Sequence, residues 1–159
     1  PIVIVQHMPP TFTQALAESL NQKSALHVVE GEEGMNLEAG YVYIAPGGKQ
    51  MKVVSQEGYY ILEINDDPPE NHCQPAADYI FRSVAQLYGN KALGVIMTGM
   101  GADGTLGLKD MKSKGAQVIA QDADSCVVFG MPGEAIKAGV TDCIVTLEEI
   151  SSEIVRRVN

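Results

Sequence analysis

The chain has 159 residues, 45% of them hydrophobic, and its 20 acidic and 11 basic side chains leave a formal net charge of −9. That length predicts one domain with a core that needs no staples, and the apolar content excludes disorder. The acidic balance excludes nucleic acid and anionic lipid as partners. Cys73, Cys126 and Cys143 form an odd set without paired spacing and read as reduced thiols of a cytoplasmic protein. The apolar runs are too short for membrane insertion, and no basic segment precedes an apolar one as in a signal peptide.

The chain opens at Pro1 and enters Ile2 to Val5 at once, a β-branched run expected of a strand buried on both faces. Such an opening is expected of a segment of a larger protein. Gln6 to Pro10 reads as a loop. A helix follows, capped by Thr11 or Thr13, with Phe12, Leu16 and Leu20 on its apolar face. Leu26 to Val29 is a short strand, and Gly31 to Gly40 is turn-rich.

Tyr41 to Ala45, Met51 to Val54 and Tyr59 to Ile64 are β-rich, broken at Pro46-Gly47-Gly48 and at Gln56-Glu57-Gly58. The second break is short enough for a hairpin. Asn65 to Gln74 is a loop, and Pro75 suits the first turn of a helix that runs to Gly89. Leu93 to Thr98 is a strand, Asp103 to Lys114 a helix stopped by Gly115, and Val118 to Ala120 a strand. Pro132 to Ala138 is helical, Cys143 to Val145 a strand, and Glu148 to about Val158 a last helix capped near Thr146. This alternation predicts an α/β fold with a doubly wound, mostly parallel sheet, Rossmann-like, carrying an antiparallel hairpin insertion.

Open parallel sheets bind ligands beyond the carboxyl ends of their strands. His7 follows the first strand, and Asp103 follows the strand at Leu93 to Thr98. In such a pair the carboxylate fixes the imidazole tautomer while the other ring nitrogen takes a proton from a hydroxyl nucleophile. Free amides at a helix N-terminus would keep Asp103 ionised. Spacing alone leaves two plainer readings open: Asp103 as a helix cap and His7 as an ordinary loop histidine.

Gly99-Met100-Gly101-Ala102-Asp103-Gly104 also matches G-x-G-x-x-G, with Asp122 where a ribose-binding acid would fall, so a dinucleotide-binding domain is the remote alternative. Against it, Asp103 would set a carboxylate against the pyrophosphate. His72-Cys73 are adjacent and poorly spaced for one metal, His27 reads as structural, and Pro46-Gly47-Gly48-Lys49 lacks the rest of a P-loop. No metal and no cofactor are expected. Met8, Met100 and Met131 fall on loops near the proposed edge, as packing residues or as the wall of a small pocket.

Read together, several segments resemble the chemotaxis protein-glutamate methylesterases, the CheB family. They are Val5 to Pro10 with Phe12-Thr13, Tyr43 to Gly48, Asp67 to Asn71 with Pro75 and Asp78, Met97 to Gly104, and Cys126 to Pro132. The resemblance spans nearly all of residues 1–159, in order. It implies a Ser-His-Asp hydrolase in which His7 is the triad histidine and Asp103 the triad aspartate. It implies hydrolysis of glutamyl γ-methyl esters on chemoreceptor cytoplasmic helices, releasing methanol, with receptor glutamine deamidation in some members. Met8, Met100, Gly101 and Met131 are then assigned to the substrate pocket and the oxyanion vicinity.

Two departures from the family pattern stand out. None of the eight serines, Ser19, Ser24, Ser55, Ser83, Ser113, Ser125, Ser151 and Ser152, matches the family's Gly-x-Ser-Thr-Gly turn. The nucleophile is therefore expected upstream of Pro1, on a strand, turn and helix of about thirty residues. The 159 residues alone would then be inactive. Gln50 stands where the family commonly has His, which bears on receptor contact. A receiver domain, usual in the family, is expected in the full-length protein. The alternative is a catalytically inactive relative that binds receptors or a signalling partner.

Overall fold

The computed structural model describes residues 1–158, which divide into two compact units, residues 1–83 and residues 84 onward. In the first, the β-branched run becomes β1 (Ile2–Ile4), followed by α1 (Phe12–Asn21), β2 (His27–Glu30) and β3 (Tyr41–Ile44). These strands form a parallel sheet in the order β1-β3-β2, with Tyr43 level with both Val3 and Val29. Their carboxyl ends therefore share one edge. Ala17, Val28, Val42 and Ile44 make the core between α1 and this sheet, joined by Ile4 and Leu16.

The buried side of α1 differs from the expected one. Thr13 and Ala17 face inward, whereas Phe12 and Leu20 are exposed. Close packing on a sheet favours small side chains at the centre of a helix face, and here they outrank the larger apolar ones at its margins. Thr11 is the N-cap residue but makes no side-chain cap, and its φ is 74°. Thr13 does not cap either, because its hydroxyl is engaged outside the helix.

β4 (Gln50–Gln56) and β5 (Tyr59–Asn65) form the expected antiparallel hairpin. Glu57 and Gly58 have φ of 50° and 88°, the twist that joins two right-handed strands through two residues. Lys52 and Glu63 are directly opposite and pair at 2.8 Å. α2 (Ala77–Tyr88) begins two residues after Pro75, so the proline precedes the helix instead of opening it, across a cis Gln74–Pro75 bond. The unit boundary falls inside α2.

The second unit continues with one turn of 3-10 helix (Gly89–Lys91), β6 (Leu93–Ile96), α3 (Thr105–Ser113), β7 (Gln117–Gln121), α4 (Met131–Lys137), β8 (Cys143–Val145) and α5 (Leu147–Val158). Its strands are parallel in the order β6-β7-β8. Leu108, Met111, Val118, Ile119, Ala120 and Ala135 are its buried core. α5 opens with a capping pair, the Glu149 carboxylate accepting from the Thr146 N–H and hydroxyl. The strands, helices and hairpin expected from the sequence are all present, in mixed α/β order, with ends shifted by a few residues.

The last helix also carries a pH-sensitive clamp. Hydrogen bonds from Arg156 and then Arg157 hold the Glu153 carboxyl well below its ordinary range, at about 2. Arg157 also reaches Gln117 on β7 at 2.6 Å. A folded pKa below the unfolded value means the stabilisation is complete above about pH 5 and is lost as pH falls through 4 toward 2. Replacing Glu153 with Gln should flatten the acid limb of stability over that interval in urea titrations at fixed pH. An acid limb identical to the parent's would show that the clamp contributes nothing there.

Candidate active site

His7 and Met8 sit on the loop between β1 and α1, at the carboxyl edge of the first parallel sheet. His7 is exposed and Met8 half-buried. The loop starts firmly, since the Ala45 N–H donates to the Ile4 carbonyl at 2.8 Å, tying it to β3. Farther along, Gly47 lies directly on the loop backbone. A Cβ at position 47 would meet Pro9 C at 2.4 Å, Pro10 N at 2.5 Å and Met8 O at 2.6 Å.

The same edge carries the 66–76 loop, and here Gln50 acquires a structural role. Its amide is fully buried at 0% exposure. It donates to the Pro68 carbonyl at 3.1 Å and to the Cys73 carbonyl at 3.5 Å, and accepts from the Ala76 N–H at 2.9 Å. A Gln amide has both donors and an acceptor at one end, so it can serve three backbone groups. The departure at position 50 therefore concerns the anchoring of this loop. Arg82 ion-pairs with Glu70, and Asn71 donates to the buried Asp78 at 2.9 Å, adding two further ties.

In the second unit, Met97 to Gly104 follows β6, and Asp103 is buried at 2% exposure. The helix cap is Gly104, at φ 93°, and α3 begins only at Thr105, so Asp103 is not the cap of that helix. The start of this segment, at Thr98 and Gly99, is bound to the loop that leads into α4 and to the first residue of that helix. Thr98 exchanges hydrogen bonds with Val128, and the Gly99 carbonyl accepts from the Gly130 and Met131 N–H groups at 3.1 and 2.8 Å. Gly130 leaves no space for a side chain, since its Cβ would lie 2.5 Å from the Gly99 carbonyl.

Gln121, at the end of β7, supports both loops and was not singled out from the sequence. Fully buried, it accepts from the Thr98 N–H at 2.8 Å and donates to the Ser125 carbonyl at 2.8 Å. Its only sequence signal is an amide ending the apolar run Val118-Ile119-Ala120. Met100 is 85% exposed beside Gly101, while Met131 is buried beneath Gly99. Thus Met100, Gly101 and Asp103 lie on the loop after β6, Met131 opens α4 instead of lying on a loop, and His7 and Met8 lie on one loop of the first unit.

These details weigh against the other chemistries. Asp122 accepts from the Ser125 N–H and hydroxyl, closing its own turn. Burial pushes the Cys126 thiol up, which makes it a poor nucleophile at neutral pH. No helix among the described residues is long and apolar enough to cross a membrane.

Comparison with known proteins gives a consistent result. The CheB methylesterase family model matches residues 1–154. The "protein-glutamate methylesterase/protein-glutamine glutaminase" of Desulfotalea psychrophila is 52% identical over 160 residues, which is 99% of this chain and 44% of that protein. A counterpart from Chromobacterium violaceum, carrying the same name with the number 2, is 49% identical over 155 residues, 98% of this chain and 44% of that protein. The crystal structure of the Thermotoga maritima CheB methylesterase catalytic domain matches with a TM-score of 0.97 at 40% identity, covering 99% of this chain and 84% of that one. The chain thus spans less than half the length of the curated relatives it matches.

Proposed function

The chain belongs to the CheB methylesterase family, and from that premise we propose that it is most of the catalytic domain of a protein-glutamate methylesterase. The substrates are γ-methyl esters of glutamates on the cytoplasmic helices of chemoreceptors, and the product alcohol is methanol. The same acyl chemistry on a glutamine would release ammonia, the second activity in the relatives' names. In this reading the full-length protein also carries a receiver domain and works in the cytoplasm.

His7 is the base and Asp103 its orienting carboxylate. A serine hydroxyl attacks the ester carbonyl carbon while His7 takes its proton. The tetrahedral intermediate collapses as methoxide leaves with that proton, giving methanol and an acyl-serine. Water then attacks the acyl-serine while His7 takes its proton, and the second intermediate collapses as His7 returns that proton to the departing serine oxygen, freeing the glutamate and restoring the serine. Asp103 holds the imidazole tautomer and stabilises the imidazolium. In this reading the exposed Met100 and neighbouring Gly101 flank the acyl group, Met131 packs against Gly99 at the start of the same loop, and Met8 borders the histidine.

The serine belongs to a segment outside these 159 residues. Ser83 and Ser113 donate to carbonyls in their own helices, Ser125 bonds Asp122, Ser55 lies in β4, and Ser24 caps the Leu26 N–H. Ser19 lies in α1, and Ser151 and Ser152 in α5. None of these positions is a strand-to-helix elbow.

The observation that carries the reading is the family match over residues 1–154, with His7 and Asp103 each just past the carboxyl end of a parallel strand. Its test is methanol release by the full-length protein from methylated receptors in membranes. Steady release is expected. A folded full-length protein that binds receptors and releases none would leave the inactive-binder reading in its place.

A further inference from the structure

We propose that the Thr13 hydroxyl is a positioning element for His7, acting through Gly47; this rests on the reading of His7 as the base. The loop that carries His7 contains Pro9 and Pro10 in succession. Neither has an N–H, so over that stretch the loop cannot tie itself down with its own amides. It must be held from outside, and Gly47 is a backbone contact that does so. The Gly47 backbone lies against the peptide units of Met8 to Pro10 so closely that no side chain fits between them.

Gly47 is in turn held by Thr13. Its N–H donates to Thr13 Oγ1 at 2.9 Å, and the Thr13 hydroxyl donates to Glu30 Oε1 at 2.5 Å. The relay therefore runs from the loop after β3, through the first turn of α1, to the end of β2. It closes around the segment that follows His7. Gly48 adds a parallel tie, its N–H donating to the Gln74 carbonyl at 3.0 Å.

The bonding of Thr13 is not that of a residue serving its own helix. Thr13 is 0% exposed, makes no cap, and directs both of its side-chain hydrogen bonds to residues 17 and 34 positions away. A buried hydroxyl is costly unless paired, and this one is paired only when the Gly47 loop and β2 are both in place. Without it, Gly47 can draw back, and Met8 to Pro10 lose the surface that fixes them. The imidazole at the start of that segment then samples a wider range of positions. A misplacement of about 1 Å can cost on the order of 10²-fold in rate, so a partial loosening should cost about tenfold.

The test uses the full-length protein, with methanol release as the assay and the His7 ring signals in ¹⁵N-histidine NMR as an independent readout, assigned by their loss in His7→Ala. Thr13→Val should lower kcat about tenfold with KM within about twofold, and should shift or broaden the His7 signals. Thr13→Ser, which keeps the hydroxyl, should recover kcat to within about threefold of the parent. Glu30→Ala should give a smaller loss, and combining it with Thr13→Val should be no worse than Thr13→Val alone, because both cut one relay. The proposal is overturned if Thr13→Val keeps kcat, if the loss lies in KM, if Ser does not restore it, or if the His7 signals are those of the parent. Should Thr13→Val fail to fold, Glu30→Ala decides, since Glu30 is only half-buried: unchanged kcat and unchanged His7 signals there overturn the proposal. Full activity in His7→Ala would instead remove the base assignment, leaving the NMR readout to judge the positioning.

Discussion

In the full-length protein, Asp103→Asn should lower kcat for methyl-ester hydrolysis by about 10⁴, with KM changed by no more than about threefold. The substitution preserves volume and removes charge. An amide facing the ring can donate where the carboxylate only accepts, so it favours the tautomer that cannot take a proton from the serine. His7→Ala should cost at least as much, because it removes the proton acceptor itself. The double variant should be little worse than the more damaged single one, since members of one catalytic unit do not add. Stability should change by no more than about 1 kcal/mol for His7→Ala, because His7 is exposed on a loop. Steady-state methanol release beside thermal unfolding separates the two effects. An Asp103→Asn protein within tenfold of the parent rate would remove Asp103 from the triad.

Residue types make only part of the proposed site readable. His7 and Asp103 could be proposed from the sequence because each is a chemically distinctive side chain after an apolar β run. Strand order then places each at the carboxyl end of a parallel strand. The cap reading of Asp103 was open in the sequence, because Asp before a helical stripe is what a cap looks like. Gly104 takes that position instead, at a φ of 93°. The turn needs positive φ at that point, and glycine provides it more readily than aspartate.

What the sequence concealed is the scaffolding, and the reason is physical. Thr13, Gln50 and Gln121 are polar side chains at 0% exposure, and each satisfies backbone groups far away in the chain. Neither hydropathy nor periodicity carries such information, because the partners exist only after the loops have met. Gln50 is visible only as a departure from a family pattern, and Thr13 only as a candidate cap and as part of a segment that resembles the family. The buried side of α1 is hidden for the same reason. Phe12 and Leu20 are the more hydrophobic residues, but Ala17 and Thr13 are small enough to let the helix approach the sheet.

Gly47 is the position where that hidden scaffolding should respond most sharply. Gly47→Ala places a Cβ 2.4–2.6 Å from three backbone atoms of Met8, Pro9 and Pro10. Those atoms cannot turn aside as a side chain would, so the loop after β3 or the loop carrying His7 must move. The Gly47 N–H bond to Thr13 and the Ala45 N–H bond to Ile4 oppose such movement on either side. Overpacking commonly costs about 1–3 kcal/mol, and a rigid backbone contact belongs at or above the top of that range. Gly58→Ala is the matched control. Nothing lies within 4 Å of its Cβ, and only its φ of 88° opposes a side chain, at about 1–2 kcal/mol. Urea unfolding of the full-length variants should therefore rank Gly47→Ala as the more destabilised. Methanol release should separate them further, because Gly58 closes the β4–β5 hairpin whereas Gly47 bears on the His7 loop. Gly47→Ala protein that remains folded should retain a few per cent or less of the parent kcat, following the sensitivity of rate to placement. Equal kcat in the two variants would mean that the contact serves the fold alone and leaves the imidazole where it was.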